Sequence, residues 1–138
     1  MMMQRARRLT QAVVAILLLY WLAIFASTHV PHLGRRGLDN MDKVFHFCAY
    51  FGLSVLVCLA WSVHRRLSWL HFAGVLGVLA LYGAFDELSQ IPVGRSCDIH
   101  DWYADVLGAL TGIVAFQIVA RLFRRRTAQL AVPRRARN

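Results

Sequence analysis

Charge is scarce in this chain. Only 17% of its 138 residues are Asp, Glu, Lys or Arg, while 58% are hydrophobic; a soluble domain carries about a quarter charged residues to cover its surface. The mean hydropathy is +0.47, and the apolar residues fall in blocks rather than alternating with polar ones. That pattern excludes an ordinary water-soluble fold and makes lipid the solvent for much of the chain. Connecting sequence is short as well. Four apolar blocks use about 80 residues, so no separate soluble domain fits.

Several chemical motifs are also missing. No H-E-x-x-H or comparable ligand spacing is present, and no aromatic–basic motif supports nucleic-acid binding. Ser96 and Cys97 stand beside Arg95 without a recognisable triad. Of the three cysteines, Cys58 lies in an apolar stretch and reads as a packing residue. Cys48 and Cys97 fall at one membrane face, where a disulfide is chemically permitted, and the sequence leaves their pairing open.

What is present is four spans, at about 10–29, 44–63, 68–85 and 103–123. Each approaches the roughly 20 residues that a helix needs to cross a hydrocarbon core about 30 Å thick. The third block, with Gly74, Gly77 and Gly83, has a re-entrant or interfacial helix as its alternative. The first, with Arg5, Arg7 and Arg8 ahead of it, resembles a signal peptide, but it is long, contains Tyr20 and Trp21 and lacks an A-x-A site. It reads as a retained helix. The expected fold is an all-α membrane protein, a four-transmembrane-helix bundle forming a single domain over 1–138, with a basic tail at about 121–138.

Charge gives the expected orientation. The net charge is +9, and twelve of the sixteen basic residues fall on one side of the four-span arrangement. These are Arg5, Arg7 and Arg8, then Arg65 and Arg66, then seven arginines from Arg121 to Arg137. Arg35, Arg36, Lys43 and Arg95 fall on the other. Basic residues in short loops stay in the cytoplasm, so both termini are expected there, in a cell (inner or plasma) membrane. The tail would serve as a topology anchor, with binding of anionic headgroups as a second use.

All seven acidic residues fall on the side opposite the basic excess. Asp42 and His46 are four apart, and so share a helix face that Tyr50 continues one turn deeper. Glu87 and Gln90 close the third span, and Asp101 and Asp105 are four apart at the start of the fourth. Ionisable groups at membrane depth cost a few kcal/mol each unless they face the bundle interior and find partners. His46 and Asp105, the deepest, should therefore face inward, with Lys43 and Arg95 as nearby cations. His46, Glu87, Arg95 and Asp101 are expected to converge, Arg95 pairing with Glu87 or Asp101. Asp98 and Asp42 also have the simpler role of helix N-termini. The oxygen ligands would suit a hard cation, with His46 or His100 joining, but without a ligand spacing neither metal nor cofactor is assigned. His29, His32, His64 and His71 are given no role. Ala104, Gly108 and Gly112 form a small-residue stripe, expected to pack within the chain, with a homodimer seam as the alternative.

These segments resemble the VanZ-like family of small membrane proteins. The matching stretches are DKVFHFCAYFGLS at 42–54, FDELSQIPVGR at 85–95 and DIHDWYADVLGALTG at 98–112. The resemblance selects Asp42, Lys43, His46, Tyr50, Glu87, Gln90, Arg95, Asp98, Asp101 and Gly108. Asp105 departs from it, since the family often has Asn there. A founding member is associated with low-level teicoplanin (glycopeptide) resistance, so the resemblance implies a cell-envelope role without naming a reaction.

Two functions follow. One is an enzyme acting on a lipid-linked or glycopeptide-related envelope ligand, with His46, Glu87 and Asp101 as general acid or base candidates. Asp42, Lys43, Tyr50, Gln90, Arg95, Asp98 and Asp105 would then bind the ligand. The other is a non-catalytic protein that alters the accessibility of an envelope component or antibiotic. Ion or proton transport is disfavoured, because the polar residues stop about one turn into the membrane.

Overall fold

The computed structural model describes residues 2–29, 39–63 and 66–131. The expectations placed on His32, Arg35, Arg36, His64, Arg65, Arg134, Arg135 and Arg137 lie outside the described residues, as do those on the side chains of Arg5 and Asp39.

Four helices account for nearly all of it: α1 (Met2–His29), α2 (Asp39–Ser62), α3 (Trp69–Gln90) and α4 (Ile99–Ala131). The shortest, α3, has 22 residues, about 33 Å at the usual rise, so every helix is long enough to cross a bilayer. It runs unbroken through Gly74, Gly77 and Gly83, which removes the re-entrant alternative. Ser68 starts it. Its backbone N–H donates to His71 Nδ1 at 3.2 Å, the reciprocal half of a capping box, so His71 has a structural use that its sequence position did not announce.

The bundle is inverted relative to a soluble protein. Leu19, Leu81, Leu107 and Val114 are exposed, whereas His46, Asp86, Glu87, Gln90, Asp101 and Asp105 are buried. Apolar side chains can face lipid at no cost, and polar ones are confined to where helices meet. An apolar core of Ile24, Leu53, Cys58, Leu79, Ala109 and Ile113 fills the remaining interior.

Close contact between α2 and α4 decides where the polar groups meet. A Cβ on Gly108 would collide with the Phe47 carbonyl, and one on Gly112 with the Ser54 hydroxyl and the Phe51 carbonyl. The small-residue stripe is therefore spent within the chain, and the homodimer alternative loses its basis in that stripe. Across the other seams, Tyr20 donates its hydroxyl to the Ala49 carbonyl at 3.1 Å and the Trp102 indole to the Ala80 carbonyl at 2.9 Å.

After α3 the chain tightens into a 3₁₀ turn, Ile91–Val93, and leaves it at Gly94 with φ +78°. The Gly94 N–H reaches the Ile91 carbonyl at 3.1 Å and the Arg95 N–H the Gln90 carbonyl at 3.2 Å. That pair of bonds is a Schellman motif, whose left-handed residue glycine adopts without strain. It turns the chain so that Arg95 follows directly beside α2.

Candidate functional site

One end of the bundle gathers the C-terminal ends of α1 and α3 and the N-terminal ends of α2 and α4. At its centre stands His46, 1% exposed. Its Nδ1 lies 2.9 Å from Asp105 Oδ1 and 4.0 Å from Glu87 Oε1. The glycine contacts that bring α4 onto α2 make the first approach possible. Glu87 is held on both oxygens, by Gln90 Nε2 at 3.2 Å and by the Asp98 backbone N–H at 2.9 Å. Tyr50, one turn below His46, is wholly buried, and its hydroxyl has no hydrogen-bond partner among the described residues.

A second layer forms the rim. Arg95 Nη2 donates to Asp42 Oδ2 at 3.3 Å, so the expected pairing of Arg95 with Glu87 or Asp101 is replaced by one across to the start of α2. The reason is local. Glu87 is already satisfied by Gln90 and the Asp98 backbone, and Lys43 lies 3.8 Å from Asp101 and 3.6 Å from Asp98. Asp98 caps α4, accepting the His100 backbone N–H at 2.9 Å, with the His100 imidazole at 2.9 Å from the same oxygen. Those two bonds, the backbone one foremost, hold the Asp98 carboxyl below its ordinary range. His100 is thereby tied to the cap, on an exposed surface away from the buried cluster. Asp42 lies inside the first turn of α2, which begins at Asp39, where its charge favours the positive end of the helix, and it also pairs with Arg95.

A third group was not legible as a site. Asp86 is wholly buried, with Thr28 Oγ1 at 3.1 Å and His29 Nδ1 at 3.9 Å. His29 donates from Nδ1 to the Phe25 carbonyl at 2.8 Å and meets Ser89 Oγ through Nε2 at 2.9 Å. The sequence alone gives His29 no role and does not single out Asp86 among the seven acidic residues. The signal was available in the spacing, since Gly83, Asp86, Glu87 and Gln90 share one face of α3. What no spacing supplies is the contribution of α1, which comes from 58 residues away.

The cysteines are free: Cys58 is buried, and Cys48 and Cys97 are exposed. Chemically, the arrangement offers buried carboxylates and an imidazole for proton transfer or for a cation, below a rim with two permanent cations for an anionic group. Among the described residues, two trios have donor atoms all within 4.8 Å of one another: His46, Glu87 and Asp105, and Asp42, His46 and Asp101.

Comparison with curated proteins and with solved structures returned no match. The family model described as VanZ/LLP1 matches residues 3–121, which takes in the first three spans, most of the fourth and the whole of this polar end; the chain is a member of that family and, with four helices able to cross a bilayer, a multi-pass membrane protein.

Proposed function

We propose that the polar end of the bundle faces outside the cytoplasm and binds an anionic cell-envelope ligand, lipid-linked or glycopeptide-related. The observation that supports this most is the layering. Fully buried polar groups lie beneath a rim where Arg95 pairs with Asp42 and Lys43 lies beside Asp98 and Asp101. A phosphate or carboxylate of the ligand would displace Asp42 from Arg95, whose planar fork suits such a group better than an ammonium does. The apolar part of the ligand would stay in the bilayer, so only the headgroup need enter.

His46, Glu87 and Asp101 are the candidates for proton transfer should the ligand be turned over. A binding role without turnover draws support from one contact: the imidazole of His46 is hydrogen-bonded to a carboxylate, not to a hydroxyl or thiol that it could activate. Glu87→Gln separates the two readings, abolishing catalysis while sparing binding.

The test is mass spectrometry of lipid and envelope precursors that co-purify from native membranes. An anionic lipid-linked species enriched on the wild-type chain and lost from Arg95→Ala is expected. Equal amounts of bulk phospholipid on both, with nothing else, would sink the proposal.

A further inference from the structure

Asp86, Glu87 and Asp105 are 0%, 3% and 0% exposed, and Arg95 and Lys43 make their ion pairs further out, with Asp42, Asp98 and Asp101. Among the described residues, the basic groups in contact with Asp86, Glu87 and Asp105 are thus the imidazoles of His46 and His29. Anions in a low-dielectric interior are tolerated only when paired or when they coordinate a metal. Independently of the acidic cluster, Asp105 Oδ2 and the Tyr50 hydroxyl are buried without a hydrogen-bond partner among the described residues. Tyr50 lies within electrostatic reach of Asp105, Asp86 and Glu87. The backbone keeps room there too, since a Cβ on Gly83 would come within 3.0 Å of that same Asp105 oxygen.

We propose that His46, Glu87 and Asp105 bind a divalent cation of the zinc or manganese kind. One nitrogen and two carboxylates suit such an ion better than Mg²⁺ or Ca²⁺, which favour all-oxygen sets. Ligand bonds of about 2.0–2.2 Å place neighbouring donors roughly 3–3.6 Å apart. The observed separations from His46 Nδ1, 2.9 Å to Asp105 and 4.0 Å to Glu87, bracket that range, and all three donor atoms lie within 4.8 Å of one another, close enough for side-chain adjustment alone to bring them onto one ion. Binding through Nδ1 requires that nitrogen to carry no proton, so the tautomer with hydrogen on Nε2 is the one that holds the ion. On this assignment His46 and Glu87 are ion ligands, and Asp101 remains the candidate for proton transfer. The rim can bind its headgroup or fail to, independently of the ion.

The experiment uses the full chain in detergent, stripped with EDTA and titrated with ZnCl₂, MnCl₂ or MgCl₂ alone. Bound metal is measured by mass spectrometry and stability by thermal unfolding. About one equivalent of Zn²⁺ or Mn²⁺ is expected, with a rise in melting temperature on the order of 5–10 °C at a hundredfold excess over Kd. MgCl₂ should give little. His46→Ala would test the nitrogen ligand but risks the fold, so the near-isosteric Glu87→Gln and Asp105→Asn carry the weight. Each should weaken binding by about 10–100-fold or more, while Asp42→Asn leaves it intact. Three results would overturn the assignment: no stoichiometric metal and no thermal shift in the wild type; unchanged binding in both isosteric variants; or loss in Asp42→Asn with retention in Glu87→Gln. The last would move the ion to Asp42, His46 and Asp101. Because no lipid enters this titration, its failure is distinct from a failure of the headgroup proposal.

Discussion

Arg95 shows how much the worth of a charge depends on its neighbours. Had it paired with a buried Glu87, removing it would strand a desolvated carboxylate at a cost of about 3–5 kcal/mol. Its partner is instead Asp42, with the two side chains 12% and 30% exposed, a half-buried pair whose loss costs less than stranding a buried carboxylate and more than the about 0.2–1 kcal/mol of a fully exposed pair. Arg95→Ala should therefore unfold within a few degrees of the wild type in detergent but lose the co-purifying anionic ligand. Arg95→Lys should keep the stability and lose most of the retention, because an ammonium makes no bidentate contact. Wild-type retention in Arg95→Lys would reduce Arg95 to a counter-charge. Thr28 is the opposite case, a neutral group in a buried contact. Its hydroxyl is 2% exposed as a residue and reaches Asp86 across helices. Thr28→Val should cost about 1 kcal/mol, the scale of interhelical hydrogen bonds in membranes, and Thr28→Ser should restore it. Unfolding midpoints of the three chains measure this.

At the scale of elements, glycine position matters more than glycine content. Gly108 and Gly112 admit the α2 backbone, whereas a Cβ on Gly74 or Gly77 would meet nothing within 4 Å. Gly108→Ala should lower stability by about 1–3 kcal/mol, as overpacking does, and push His46 from Asp105. Gly74→Ala should be neutral or slightly stabilising, since alanine is the better helix former. Equal melting temperatures for the two variants would mean that α4 does not rest on α2 through this stripe. Gly94 is a third type: space is open around it, but its φ of +78° makes Gly94→Ala costly by about 1–2 kcal/mol through the backbone alone. The helices themselves were legible because lipid demands continuous apolar blocks, and residues four apart at a helix end locate one face. Helix ends were not legible. The fourth span was placed to about 123, but α4 continues to Ala131, because arginines favour helix as well as any apolar residue and nothing after Phe123 stops it. Partner choice was not legible either. The Arg95–Asp42 and Thr28–Asp86 contacts depend on how helices rotate against one another, which spacing within a single helix does not determine.

At the scale of the whole molecule, the question is which way the bundle sits. On the four-span reading of the sequence, every acidic residue falls on one side with Arg35, Arg36, Lys43 and Arg95, and the other twelve basic residues fall on the opposite side. Acidic residues weigh little in topology and short-loop arginines weigh heavily. The difference between twelve and four therefore favours retention of the basic end in the cytoplasm. It would place the rim where a headgroup arrives from outside. A cytoplasmic rim would instead force four basic residues to be retained while twelve cross, against the bias that orients most membrane proteins. Cys97 offers a direct probe, because it is exposed in the connection between α3 and α4 at the polar end, whereas Cys58 is buried. In intact cells a membrane-impermeant maleimide should label a Cys48→Ser chain, which keeps Cys97, and fail on Cys48→Ser/Cys97→Ser, and a reporter that works only outside the cytoplasm should be silent when fused after Asn138. Labelling of Cys97 only after the membrane is breached, together with an active reporter at Asn138, would invert the bundle and remove the envelope-facing ligand from consideration. The metal titration would stand untouched, since in detergent its outcome does not depend on which compartment the polar end faces.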